Sequence, residues 1–517
     1  MLTLLLACAV QNPRGAPTAD PRDISPRFEA SATLVVSEWA AGEQLVAPLA
    51  IDVDWRGRVW VLEGGDAPSL KVLQDGAGAG FCDGASVFHT FSDVAPAPGL
   101  AVIGRQALVA SSNAWLGVAD VDGVDGPREV SPLELPWKCA AGCGNACVSG
   151  PGGQVWLLAA NGAGEVTLAR RNGSVATGVA KLSERAAGIA VDSFGGVFVS
   201  ERAEAGSAGR VLQLSPGGAV LGSAPCGDPR GLASYESNFI AELENSILVA
   251  DRAGRLVALT ATHNGGGVSL QERVVLAPRA ASEPESFAPV DVAVGLDGAV
   301  FVLDEGGGRG ARILRISTAG RRVAVPRLSL TVINGQLSSL LSPAVNVQAT
   351  AFELLAAQGD AITAQVQGVA RARNQRWQAR ALWVLAHSGD ASRAYVREQL
   401  SHDDARVRTT ALRALASAGH DALDLARRFR GDPSSALRAE ALELIAPLDW
   451  EAKRECVASL IAPWPAGEAP FVDALARAVG PHVDELAAAL EARGDKGLSS
   501  EARAAVLDAL RRRRDAR

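Results

Sequence analysis

The 517-residue chain lacks any internal apolar run approaching the ~18 residues that a membrane-crossing helix needs, so no segment reads as a transmembrane span. It also lacks a basic excess. Fifty Lys and Arg stand against 57 Asp and Glu, a formal net charge of −7, which gives no footing for nucleic-acid phosphates. Histidine is scarce, six in all. Only His89, in a strand-like stretch, and His263, in a Gly-rich turn, fall in the first two-thirds, and both read as structural or exposed. No Gly-x-Ser-x-Gly elbow, His-Glu-x-x-His pair, Cys-x-x-Cys-His haem site, Walker loop or dinucleotide fingerprint is present. Gly306-Gly307-Gly308-Arg309-Gly310 opens no helical pattern, so it reads as a connection rather than a phosphate cradle. These absences remove the signatures of the common serine hydrolases, zinc proteases, c-type cytochromes and nucleotide-binding enzymes.

What is present is repetition. Ile51 to Leu62, Ile189 to Ser200 and Val290 to Leu303 each alternate apolar and polar residues, turn at a Gly, and alternate again. That is the pattern of a β-hairpin. Weaker copies lie at Gly99 to Ala110, at Cys147 to Leu158, and at Gly231-Leu232-Ala233 with Ser246 to Ala250. The turns fall near Gly57, Gly104, Gly153, Gly196, Asn245 and Gly298, a spacing of roughly 40–50 residues, which is the length of a four-stranded propeller blade. One hairpin cannot bury its apolar face, but six can if they close into a ring.

After about residue 340 glycine thins out, Ala, Leu and Arg take over, and the period becomes helical. Four segments align without gaps at steps of about 30 residues: Val347, Trp377, Val407 and Leu437; Ala351, Ala381, Ala411 and Ala441; Leu355, Leu385, Leu415 and Ile445. A small residue recurs where two helices must approach closely, and a second helix, such as Asp421 to Arg430, follows each. The pattern is that of a short α-solenoid of HEAT type, with looser copies around Leu475 and Leu507. The expected organisation is therefore a multidomain all-β plus all-α chain: a signal and tether over 1–29, a six-bladed β-propeller over 30–325, a linker over 326–342, and the solenoid over 343–517. The terminal Arg511-Arg512-Arg513-Arg514 suits a solvated helix end.

The N-terminal run ends in Leu5-Leu6-Ala7-Cys8, the form of a lipoprotein box in which Cys8 is lipidated. The expectation is export to the periplasm or outer envelope, with a lipid anchor as the membrane contact. Cys82, Cys139, Cys143, Cys147 and Cys226 read as disulfide candidates in that compartment, since the Cys-x3-Cys-x3-Cys spacing lacks a fourth zinc ligand. Asp120-Val121-Asp122-Gly123-Val124-Asp125 either offers Asp120, Asp122 and Asp125 to calcium or forms an Asx-type turn. Asp52, Asp192 and Asp291 recur at one phrase position and read as scaffold. A metal-dependent lactonase-like site would instead need carboxylates converging on the axis.

Pro48 to Glu63, and Phe287 to Asp304 with Arg312-Ile313-Leu314-Arg315-Ile316, resemble blades of the sorbosone and glucose dehydrogenase-like propellers. With the helical array behind them they resemble the bacterial membrane-bound dehydrogenase-like proteins. The resemblance implies pyrroloquinoline quinone (PQQ), held in part by an Arg-Asn pair, with a His as base. Here the corresponding stretch reads Ser183-Glu184-Arg185-Ala186-Ala187-Gly188, so Arg185 is what remains of the cofactor-binding pair. Ala224-Pro225-Cys226-Gly227 has no His, and the family's Asp-rich loop shrinks to Asp75 to Gly80 with Asp83. The expectation is a degenerate, non-catalytic protein that binds a protein or carbohydrate ligand. The alternative is a PQQ-dependent sugar or alcohol dehydrogenase with an altered site.

Overall fold

The computed structural model describes residues 22–517 except 93–94, 112–113, 120–125, 128, 134–137, 140–146, 161–165, 173–174, 280–285, 307–309, 321–324, 495–497 and 516–517. Among the described residues six antiparallel sheets form a propeller, and twelve α-helices follow. The innermost strands of the six blades are Pro48–Val53, Pro96–Ile103, Cys147–Ser149, Ala186–Val191, Pro229–Tyr235 and Pro289–Val294. Burial falls from axis to rim. Ala186–Val191 and the second strand Val197–Glu201 are buried at every residue, whereas the outer strand Gly84–Thr90 is largely exposed. Blades pack face on face around the axis, so an inner strand is covered on both sides and carries Val, Ile and Ala throughout rather than alternating. In five blades the inner strand slips register near its start, between Pro48 and Ala50, Pro96 and Leu100, Ala186 and Gly188, Pro229 and Leu232, and Pro289 and Asp291. Each slip sharpens the local twist.

Both ends of the propeller sequence close the ring. Leu34–Ala41 pairs with Arg312–Thr318 and supplies the outer strand of the sixth blade. Phe28–Ala30 adds a fifth strand to blade five. Residues 24–29, expected as part of a tether, are thus scaffold, with Ile24 and Phe28 buried in a core shared by blades five and six.

In the helical part the residues aligned at about 30-residue steps fall at corresponding places in four helices, Val345–Ala356, Gln375–His387, Ala405–Ser417 and Ser435–Ile445. Ala351, Ala381, Ala411 and Ala441 are all fully buried, as are Leu355, Leu385, Leu415 and Ile445. Asp421 caps Ala422–Arg427 by accepting from the Asp424 amide. The expected linker holds a further helix, Ile333–Leu340, whose Leu340 joins the helical core. Its eight residues are too few to show a period in sequence.

The helices do not stand apart from the ring. They press on the face of the propeller that carries the turns between first and second strands. Gly153, at φ +71°, lies where a Cβ would fall 2.6 Å from the Phe352 ring, and Gly195, at φ +79°, where one would fall 3.0 Å from Trp383. The positive φ and the close approach both demand glycine there.

Candidate functional site

Three places hold polar groups in positions that could do chemistry: the axial channel, the open mouth of the propeller, and the junction with the helices.

The channel is narrow. Ile51, Asp52, Ala101, Ser149, Val191, Ser234 and Val292 line a cavity of about 60 Å³ along the axis. Asn346, at the start of Val345–Ala356, closes its helical end. The Asn346 amide nitrogen donates to Asp52 Oδ2 (3.1 Å), to the Val102 carbonyl (2.7 Å) and to the Val53 carbonyl. Next to it, Thr350 Oγ1 accepts from the Gly104 amide at 2.7 Å.

Two carboxylates sit on the inner strands: Asp52 lines the channel, and Asp291 lies at the contact of blades six and one. Asp52 accepts from the Val102 amide of blade two at 2.7 Å, and Asp291 from the Ile51 amide of blade one at 2.9 Å, so each stitches its blade to the next. Burial pushes Asp52 up to about 7, with the neighbouring Asp291 and Asp54 adding to the effect; burial alone pushes Asp291 up to about 7. Asp192 has another job. Its Oδ1 accepts from the Phe194 and Gly196 amides at 3.0 and 2.7 Å and closes a turn, as Asp54 does for Arg56 and Arg58. Aligned on the turn glycines Gly57, Gly195 and Gly298, Asp192 matches Asp54, whereas Asp52 matches Ala293. The three aspartates expected at one position therefore occupy different ones, five, three and seven residues ahead of their turn glycines, while the register slips fall at matching places in all three blades.

At the opposite mouth a repeated ion pair appears that the sequence reading passed over. The second strand ends in an acid in four blades, and the third strand carries a cation beside it. Glu63 pairs with Lys71 (2.7 Å), Glu201 with Arg210 (2.5 Å), Asp251 with Arg255 (2.7 Å) and Asp304 with Arg312 (2.8 Å). All four acids are at most 2% exposed. Three of them also hold the segment entering the inner strand: Glu63 accepts from the Val46 amide, Asp251 from Asp228, and Asp304 from Ala288, at 2.7–2.8 Å. The signal was legible as an acid closing each second strand, Leu62-Glu63, Ser200-Glu201, Ala250-Asp251 and Leu303-Asp304.

Arg185, the one residue carried over toward a quinone, lies just before the inner strand of blade four. It faces Glu201 and Glu204 at 3.9 Å each and donates to Ser207 Oγ at 3.3 Å. Arg230 and Arg252 nearby are paired with Asp228 and Glu305. An anionic quinone needs cations left over for it. Arg185, Arg230 and Arg252 at this mouth are thus matched to carboxylates and do not fit that group, whereas Arg202 donates to the Glu184 carbonyl at 3.5 Å and leaves its Nε without a partner.

The junction holds the most deeply buried ion pair between the two parts. Arg380, 1% exposed, donates to Glu236 Oε2 (2.7 Å), Ser193 Oγ (2.8 Å) and the Leu340 and Ser342 carbonyls (3.0 and 3.1 Å). Glu236 also accepts from the Ser193 amide at 2.6 Å, and Trp383 Nε1 donates to the Ser193 carbonyl at 3.1 Å. Burial would raise the Glu236 carboxyl, but the Arg380 guanidinium and the Ser193 donors outweigh it and hold it below the ordinary carboxylate range. Nothing in sequence links partners 144 residues apart.

Beside this bolt a cleft of about 390 Å³ opens between blades three and four and the helices. Trp156, Val179, Trp383, Leu412 and Leu444 give it apolar walls. Gln154 at its edge donates to Ser417 Oγ, which lies 3.3 Å from His387 Nε2, while His387 Nδ1 faces the Trp383 carbonyl at 3.0 Å and so carries the proton. Burial holds the His387 imidazole below its usual range, and it stays neutral at pH 7.

Of the cysteines, Cys82 and Cys226 are buried free thiols in different apolar clusters, so they do not pair. That corrects the disulfide expectation for these two: each fills an apolar site between strands, as a small hydrophobe does. Cys147 is buried in a third cluster. The side chains of Cys139 and Cys143, the acidic loop of Asp120, Asp122 and Asp125, and Cys8 lie outside the described residues. Among the described residues no group of three or more His, Cys, Asp or Glu is placed to hold a metal ion, and no helix is long and apolar enough to cross a membrane.

Fold and junction together define a six-bladed β-propeller capped on one face by helices. No family model matches the chain, and no curated protein does. Solved propellers resemble the ring alone. A Trichoderma reesei protein of Carbohydrate-Active Enzymes Family AA12 aligns at 11% identity and TM-score 0.45, covering 58% of this chain and 100% of that one. The PQQ domain of pyranose dehydrogenase from Coprinopsis cinerea aligns at 13% and 0.43, covering 59% and 99%. A gluconolactonase from Xanthomonas campestris aligns at 13% and 0.36, covering 59% and 98%.

Proposed function

We propose that this chain is a non-catalytic binding protein, built as a propeller with a HEAT-type helical cap, exported and held at a membrane by a lipid on Cys8. The observation that carries this reading is the mouth of the propeller. In four blades the carboxylate there is tied to a cation of its own blade, and three of those carboxylates also hold backbone amides of the entering segment. Groups so engaged are spent on scaffold and are not free to abstract a proton, bind a metal or grip a quinone. The helical end of the channel is stoppered by Asn346, which leaves the surfaces of the ring and the helices as binding faces.

The test adds PQQ and calcium to the purified full chain and follows dye reduction across a panel of aldoses and alcohols. The expected result is no turnover above protein-free controls. Turnover that falls on Arg185→Ala or Arg230→Ala would overturn the reading and establish the dehydrogenase. Export and lipidation are tested separately, by membrane fractionation of the chain and of Cys8→Ser.

A further inference from the structure

The cleft between blades three and four and the helices has a charge balance that its own residues do not close. Arg413 is matched to Glu440 at 2.9 Å and Arg477 to Glu443. Arg170 lines the same wall with no carboxylate partner among the described residues. It lies on the strand Val166–Asn172, directly across from Trp156, with its guanidinium carbon 5.7 Å from that ring's centroid. Burial pulls Arg170 below its ordinary value with no neighbouring charge acting on it. Trp156 is 3% exposed, and its indole N–H has no hydrogen-bond partner either. A guanidinium without a counter-charge and an indole N–H without an acceptor therefore share one strand pair, in a cavity walled by Val179, Trp383, Leu412 and Leu444 and by the Arg413–Glu440 and Arg477–Glu443 pairs. A half-buried guanidinium without a counter-charge is costly, and so is a buried N–H without an acceptor. One acidic group would relieve the first.

We propose that this cleft binds a small amphipathic organic anion, with its acid group on Arg170 and its apolar body between the Trp156 wall of the propeller and the Trp383 wall of the helices. Its size fits: about 390 Å³ lies within the usual range of small-molecule pockets, roughly 300–1,000 Å³. So does its make-up, mostly apolar with a few fixed polar groups. Because the walls come from both parts of the chain, occupancy couples the helices to the ring. This rests on the binding-protein reading above and gives it a site and a ligand class.

The test uses two probes with one ring system, 8-anilinonaphthalene-1-sulfonate and the uncharged N-phenyl-1-naphthylamine, titrated by fluorescence into the folded full chain. The expected result is saturable binding of the sulfonate at one site per chain. Arg170→Gln should weaken the sulfonate by at least about tenfold, the scale of one charge-assisted hydrogen bond, and leave the uncharged probe within about twofold. Arg170→Lys should recover part of the loss. Ala416→Phe, which fills the cleft, should weaken both probes while the melting temperature holds. If that variant does not fold, the Arg170 pair decides alone. Equal effects of Arg170→Gln on both probes, or none on either, would overturn the anion assignment. Undiminished binding of both probes to folded Ala416→Phe would overturn the cleft and leave the binding-protein reading standing. Quinone-dependent turnover would remove that reading without altering these affinities.

Discussion

The Arg380–Glu236 pair gives the sharpest test of how the two parts of the chain are joined. Arg380→Met keeps most of the side-chain volume but leaves the Glu236 carboxylate buried with only Ser193 and Gln348 beside it. Removing one partner of a buried pair costs about 3–5 kcal/mol, because the other charge stays behind uncompensated. The loss is pH-dependent, with a sign fixed by the carboxyl. In the native chain Glu236 is held below its unfolded value, so it contributes stability above that value and loses it as pH falls through the folded one. In Arg380→Met burial acts with little to oppose it, and the carboxyl takes up a proton on folding instead. The variant's deficit should therefore shrink as pH drops from 7 towards about 4, the ordinary carboxylate range. The assay is urea unfolding of native, Arg380→Met, Glu236→Gln and the double variant at both pH values, with protease cleavage between the ring and the helices as a second probe. The double variant should recover much of the single-variant loss, a coupling of about 2 kcal/mol or more. A deficit for Arg380→Met under about 1 kcal/mol at pH 7, or one that grows on acidification, would refute the account.

Other expectations follow from the same contacts. Asp291 keeps its proton in the folded ring up to about pH 7 while the unfolded chain releases it earlier, so it lowers stability as pH rises between those limits; Asp291→Asn should flatten the urea-midpoint profile from pH 5 to 8. Gly153→Ala should cost about 1–3 kcal/mol through overpacking against Phe352, with added strain from the positive φ, and melting curves would show it. Deleting residues 22–41 removes the outer strand of blade six and bares its edge, so the shortened chain should aggregate or lose cooperative melting. Ellman titration of the urea-unfolded, unreduced chain should find Cys82 and Cys226 free, with each thiol assigned by peptide mapping.

The ring and the helical array were legible because their causes are local. Ile51 to Leu62 must alternate to make two strands about a turn, and Ala351, Ala381, Ala411 and Ala441 must stay small where helices meet. Such patterns repeat along the chain and can be counted. The candidate site was less legible. Arg185 was traced to the right edge of blade four, yet its carboxylate neighbours Glu201 and Glu204 appear only once the strand has folded back. The aspartates look equivalent in a loose alignment of the phrase, but counted from the turn glycines they differ, which leaves Asp52 on the channel wall, Asp291 at the contact of blades six and one, and Asp192 in a turn.

A six-bladed ring followed by helices could be read from the amino-acid order, since strand and helix periods are properties of neighbouring residues. Only the tertiary structure decided that the ring closes on its own N-terminal strand, that Asn346 stoppers the channel, and that Arg380 and Glu236 bolt ring to helices. It alone set Arg170 and Trp156 beside helices more than 200 residues further along. Contacts of that kind join positions with no shared period, and their energy comes from burying charge and N–H groups that are unremarkable until the chain excludes water from them.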